Sequence, residues 1–109
     1  MLIHLDQIEE TAVENMLGGK GTIYLRRYMD DAGKIMYARV LPGCSIGMHT
    51  HETSSEVCYI LSGHAKVLYE GEVLPLDPGV VHYCPKGHAH SVFNDGTEEM
   101  LMYCVVSNC

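Results

Sequence analysis

The sequence predicts an all-β fold, a sandwich or barrel of short antiparallel strands with a short helical segment at its N-terminus. Two observations carry this expectation. Short runs rich in Val, Ile, Tyr, Leu and Met recur along the chain, the composition of a pleated, half-buried surface. Turn signals separate them, among them Pro42-Gly43, Ser62-Gly63, Asp77-Pro78-Gly79 and Asp95-Gly96, at the spacing of about 8–12 residues typical of all-β domains.

The elements follow in order. Thr11-Ala-Val-Glu14 has the form of a capping box, a hydroxyl for an orphan N–H with a carboxylate three residues on. Gly18-Gly19 follows as a stop, so Thr11 to Leu17 is read as a short helix or turn. The expected organisation is an N-terminal extension, residues 1–20, and one barrel domain, residues 21–109. Strands are expected over residues 21–29, 34–41, 45–51, 56–61, 64–69, 73–76, 80–84, 90–94 and 100–106.

Two of these strands break the rule of one wet face. Val57–Leu61 and Met100–Val106 are apolar on both sides, whereas an antiparallel strand with a solvated face should alternate. Something must cover the outer face. A second copy of the chain is the expected cover, giving a homodimer; the alternative is the N-terminal segment folding over it.

Composition bounds the rest. A chain of 109 residues, 47% apolar and 19% charged, fits one globular domain. The net charge of −7, and no basic cluster beyond Arg26-Arg27, argue against a nucleic-acid partner. No apolar run approaches the ~20 residues of a membrane-spanning helix, and no signal-peptide pattern opens the chain. Five cysteines without a C-x-x-C pair point to neither a disulfide framework nor a zinc knuckle. A reduced, cytoplasmic setting is expected.

Chemistry concentrates in the histidines. His49 and His51, two residues apart, project to the same face of one strand. After the polar turn at Glu52-Thr-Ser-Ser55, Glu56 can face the same way on the returning strand. His90 offers a third imidazole, although His88 shares its face in an extended chain and serves equally well by geometry alone. Three neutral nitrogens and a carboxylate suit a divalent transition metal, with positions left for water or substrate.

The full spacing goes further. Gly43, His49, His51, Glu56 and Gly63 are separated by five, one, four and six residues; Gly79, Pro85, Gly87, His90 and Asn94 by five, one, two and three. In both motifs the chain resembles a small single-domain bacterial cupin, departing only at Val80, where cupins often have Asp. The resemblance implies a double-stranded β-helix, or jelly-roll, barrel with a pocket at one mouth. It also implies His49, His51, Glu56 and His90 as metal ligands, structural turn roles for the four glycines, and architectural roles for Pro85 and Asn94. The metal is expected to be Zn, Mn, Fe or Ni.

Three functions are compatible with such a barrel. The first is a metalloenzyme acting by Lewis-acid catalysis on a small polar substrate such as a sugar, a keto acid or a dicarboxylate, with Tyr83, His88 or Glu52 moving the proton. The second is a metal-dependent binding protein for a small ligand. The third is an iron or copper dioxygenase. Cys58 has the parity of Glu56 and is expected inside the barrel. Cys104 is expected in the core, and His82 and His64 as ordinary strand residues. Arg26, Arg27 and Arg39 are read as lying on a solvated strand face or in a dimer salt bridge rather than as anion ligands.

Overall fold

Ten antiparallel strands form the two sheets of a jelly roll in a computed structural model spanning Met1–Cys109. The strands are β1 (Thr11–Glu14), β2 (Thr22–Asp30), β3 (Gly33–Val40), β4 (His49–Thr50), β5 (Ser54–Ser62), β6 (Ala65–Tyr69), β7 (Glu72–Leu76), β8 (Val81–Cys84), β9 (Ala89–Phe93) and β10 (Met100–Asn108). One sheet has the order β1-β2-β3-β10-β5-β8, the other β4-β9-β6-β7.

The core follows from the two-residue period of a strand. Leu25, Ala38, Met102 and Ile60 form one cross-strand row, and Met36, Cys104 and Cys58 the next. All seven are buried. Val67, Leu76 and Val92 answer them from the four-stranded sheet.

The expected strands are present, with one shortened and one gained. In the segment Ser45–His51 only His49–Thr50 forms a regular strand. Its neighbours still run along β9: Ser45 bridges Phe93, Ile46 N–H donates to Val92 C=O, and His51 N–H donates to His88 C=O.

The short helix or turn expected over Thr11–Leu17 is corrected over Thr11–Glu14. Thr11–Glu14 is an edge strand paired with Leu25–Thr22, and only a 3-10 turn follows at Met16–Gly18. A helix this short is marginal alone, whereas pairing with β2 satisfies backbone groups and packs Val13 against the core. A second 3-10 turn covers Leu5–Gln7.

The motif glycines occupy positions that need them. Gly43, Gly63, Gly79 and Gly87 all have φ between +77° and +88°. At Gly63 a Cβ would also lie 2.1 Å from Glu99 O. Asn94, 2% exposed, ties the barrel end: its Nδ2 donates to Val40 O and Glu98 O, and its Oδ1 accepts from Gly96 N–H. Removing it strands the buried Val40 carbonyl and releases the Glu98 and Gly96 contacts. Asn94→Ala should therefore lower stability by about 2–4 kcal/mol, read as a lower urea midpoint with an unchanged slope.

Candidate metal centre

Both sheets contribute to one cluster. His49 on β4 lies directly opposite His90 on β9, and Glu56 comes from β5 of the other sheet. His51 follows β4, its backbone pinned to His88 O and by Gly87 N–H.

The three imidazoles converge through their Nε2 atoms. His49–His51, His51–His90 and His90–His49 are 3.2, 3.0 and 3.1 Å apart. Glu56 Oε1 lies 3.3 Å from His51 Nε2 and 3.0 Å from His90 Nε2. The four ligand atoms all lie within 4.8 Å of one another. Donors about 2.1 Å from one ion stand about 3.0 Å apart when they are neighbours in an octahedron, which these contacts match.

The far sides of the rings fix which nitrogen faces the centre. His49 Nδ1 donates to Gly47 O at 2.8 Å, so its Nε2 presents a lone pair. His51 Nδ1 lies 2.9 Å from Ser54 Oγ, and His90 Nδ1 lies 2.8 Å from His82 Nε2. Outer partners of this kind orient metal-binding imidazoles. Three imidazole nitrogens and a carboxylate oxygen converging on one point are the donors a divalent cation takes up once the rings are neutral. The donor set therefore fits a divalent ion.

Burial alone would raise the Glu56 carboxyl, but its contacts with His51 and His90 outweigh it and hold the group at about 2. Burial, more than the neighbouring imidazoles, lowers His49. His82 is lowered to about 4, by burial first and then by His90. Cys58 and Cys104 lie 3.5 Å apart, sulfur to sulfur. Their contact, and burial after it, push the Cys58 thiol up.

The cluster opens into a cavity of about 370 Å³. His49, His51, Glu56, His90, Cys58 and Cys104 line it, as does Lys34. Tyr83, His88 and Glu52 do not. Tyr83 points to the outer face of β8, 54% exposed, because alternation sends His82 and Cys84 inward. His88 turns aside after the Pro85–Gly87 turn, bonding Tyr69 OH at 2.6 Å and Glu70 at 3.3 Å. Glu52 is exposed in the loop before β5.

Two residues escaped the sequence reading. His82, expected to be an ordinary strand residue, braces His90; its inward parity with Cys84 was the available signal. Lys34 sits at the cavity because it shares the parity of Met36 and Ala38. None of Arg26, Arg27 and Arg39 lines the cavity, and Arg26 and Arg39 are tied within the chain rather than solvated or bridged to a second copy. Arg39 pairs with Glu10 and Glu99, and Arg26 donates to Ile8 O.

His82 gives the metal-free fold a pH dependence. Its folded value of about 4 lies below the ~6.5 of an unfolded histidine. Between these values the unfolded chain binds a proton that the folded chain refuses. Its contribution is thus complete above pH ~6.5, falls as the pH drops, and is lost below about 4. Unfolding of chelator-treated protein across this window should show a loss of about 1–3 kcal/mol, shallower in His82→Gln.

Comparison with known proteins agrees with this architecture. Residues 36–106 match the model of the cupin domain family, Cupin_2. An oxalate-binding protein of Thermotoga maritima is 29% identical, over 97% of this chain and 93% of that protein. The crystal structure of a predicted oxalate decarboxylase from Thermotoga maritima superposes with a TM-score of 0.93 at 26% identity, covering all of both chains. A Cupin 2 conserved barrel domain protein from Salinispora arenicola has a TM-score of 0.78 at 25% identity, covering 100% of this chain and 89% of that one. With a family model matching most of its length and the jelly-roll barrel in place, the chain belongs to the cupin family.

Proposed function

We propose that this cupin binds a divalent transition metal through His49, His51, Glu56 and His90 and uses it to hold a small carboxylate. The observation that carries this reading is the convergence of three Nε2 atoms and one carboxylate oxygen at 3.0–3.3 Å spacings on a cavity wall. The oxalate-binding relative supports the choice of a carboxylate.

A bound ion would supply Lewis acidity to a coordinated carboxylate or carbonyl oxygen. The chain's own residues do the positioning. Gly47 O, Ser54 Oγ and His82 Nε2 hold the three rings. Lewis-acid turnover of a sugar, keto acid or dicarboxylate ranks second, because Tyr83, His88 and Glu52, the candidate proton carriers, stand away from the cavity. A dioxygenase ranks lower still: Met36, Met102, Cys58 and Cys104 line the same space and are oxidisable sulfur.

The remaining assignments concern setting and assembly. No helix is long and apolar enough to cross a membrane. Five free thiols fit a cytoplasmic, reducing setting. The outer face of β8-β5-β10 presents Val81, Tyr83, Val57, Tyr59, Tyr103 and Val105 as neighbours across strands, all exposed. The N-terminal segment does not cover them; Arg39 and Arg26 fasten it further along the sheet. We assign this apolar strip to a twofold homodimer contact.

Three measurements test this reading. His51→Ala should reduce metal content from about one ion per chain to a small fraction, by elemental analysis, with the far-ultraviolet spectrum unchanged. Calorimetric titration with oxalate should show binding to metal-loaded protein and none after chelation; equal affinity without metal would refute the reading. Tyr59→Glu should convert a sedimenting dimer to monomer while keeping the metal.

A further inference from the structure

The cavity is a poor match for oxalate alone. Oxalate has the bulk of roughly two to three waters, at ~30 Å³ each in the liquid, whereas the cavity measures about 370 Å³. Native interiors are close-packed, so a hollow of this size among side chains is the mark of a ligand site.

The lining is graded from polar to apolar along the strands. Glu56 and Lys34 flank Val106 on one cross-strand row, and Ser54 and Asn108 form the next row outward. One row inward from Glu56 stand Cys58, Cys104 and Met36; two rows inward, Met102, Ala38 and Leu25. Inward-facing rows are about 7 Å apart along a strand. The apolar wall therefore begins about 7 Å beyond the Glu56 row and continues for another row. Its thiols contact each other, and its remaining side chains carry no strong hydrogen-bond donor. Oxygen atoms of a ligand pointing there would lose hydrogen bonds to water and gain none. At the polar level Lys34, partly buried, forms no ion pair within the chain.

We infer that the ligand is an amphipathic carboxylate, with an anionic head at the level of Glu56 and Lys34 and an apolar side chain of about four to seven carbons along Met36, Ala38, Met102 and Leu25. This rests on the metal–carboxylate reading above and narrows it. The head takes the polar level, with the Lys34 ammonium as counter-charge. The tail replaces cavity water with contacts to methyl and thioether groups.

The test is a calorimetric series on metal-loaded protein with oxalate, pyruvate, α-ketoisocaproate and phenylpyruvate. Each methylene buried against the wall strengthens binding about fourfold, so α-ketoisocaproate should bind at least tenfold more tightly than pyruvate and more tightly than oxalate. Ala38→Leu, which fills the wall, should weaken α-ketoisocaproate at least tenfold more than pyruvate. Lys34→Met should weaken all four. A flat series in the unaltered protein, or oxalate as the tightest ligand, would overturn the inference while leaving the metal–carboxylate reading standing. Binding of none of the four to metal-loaded protein would overturn both.

Discussion

Three imidazole nitrogens and a carboxylate do not crowd onto one point unless a scaffold holds them there. Here they are made to do so. Each ring is held from behind, by a backbone carbonyl, a serine hydroxyl or a second histidine, so the Nε2 atoms cannot swing away to relieve the crowding. The scaffold holds its donors in place in advance, and the ordering that a floppy site would undergo on binding an ion is already done by the fold.

That arrangement requires closure of the two sheets. His49 and His90 are cross-strand partners in the four-stranded sheet, while Glu56 belongs to the six-stranded one. Neither sheet alone holds the donor set. The ties at the barrel end, of which Asn94 is the most buried, thereby bear on the site as well as on stability. The segment after the Met16–Gly18 turn adds to the same closure. Gly19 packs against Gly47, whose carbonyl orients His49, so closely that a Cβ on either would meet backbone.

Alternation then divides the labour of each strand. Along β5, Glu56, Cys58 and Ile60 face inward as ligand, cavity wall and core, while Val57 and Tyr59 face out. Along β10, Met102, Cys104 and Val106 face the cavity, and Tyr103 and Val105 face out. The double apolarity visible in the sequence thus has two separate causes, one being the ligand cavity and core, the other the exposed strip assigned to a second copy.

Much of this was legible from residue order. Strand positions, turn glycines and the shared face of His49, His51 and Glu56 follow from period-two alternation and short-range spacing, which are local properties of the chain, whereas the choice of His90 over His88 rests on the resemblance of both motifs to cupins. The segment Thr11–Glu14 was misread because a capping box is also local, and its signal was overridden by pairing with β2, a contact between distant residues. His88 and Tyr83 looked available for proton transfer because sequence gives parity but not the rotation imposed by the Gly87 turn or the sheet face that closes on the cavity. His82 behind His90, Lys34 beside the cavity and the facing thiols of Cys58 and Cys104 were decided only by tertiary structure. Each depends on the register between strands, and register is set by the packing of the whole barrel.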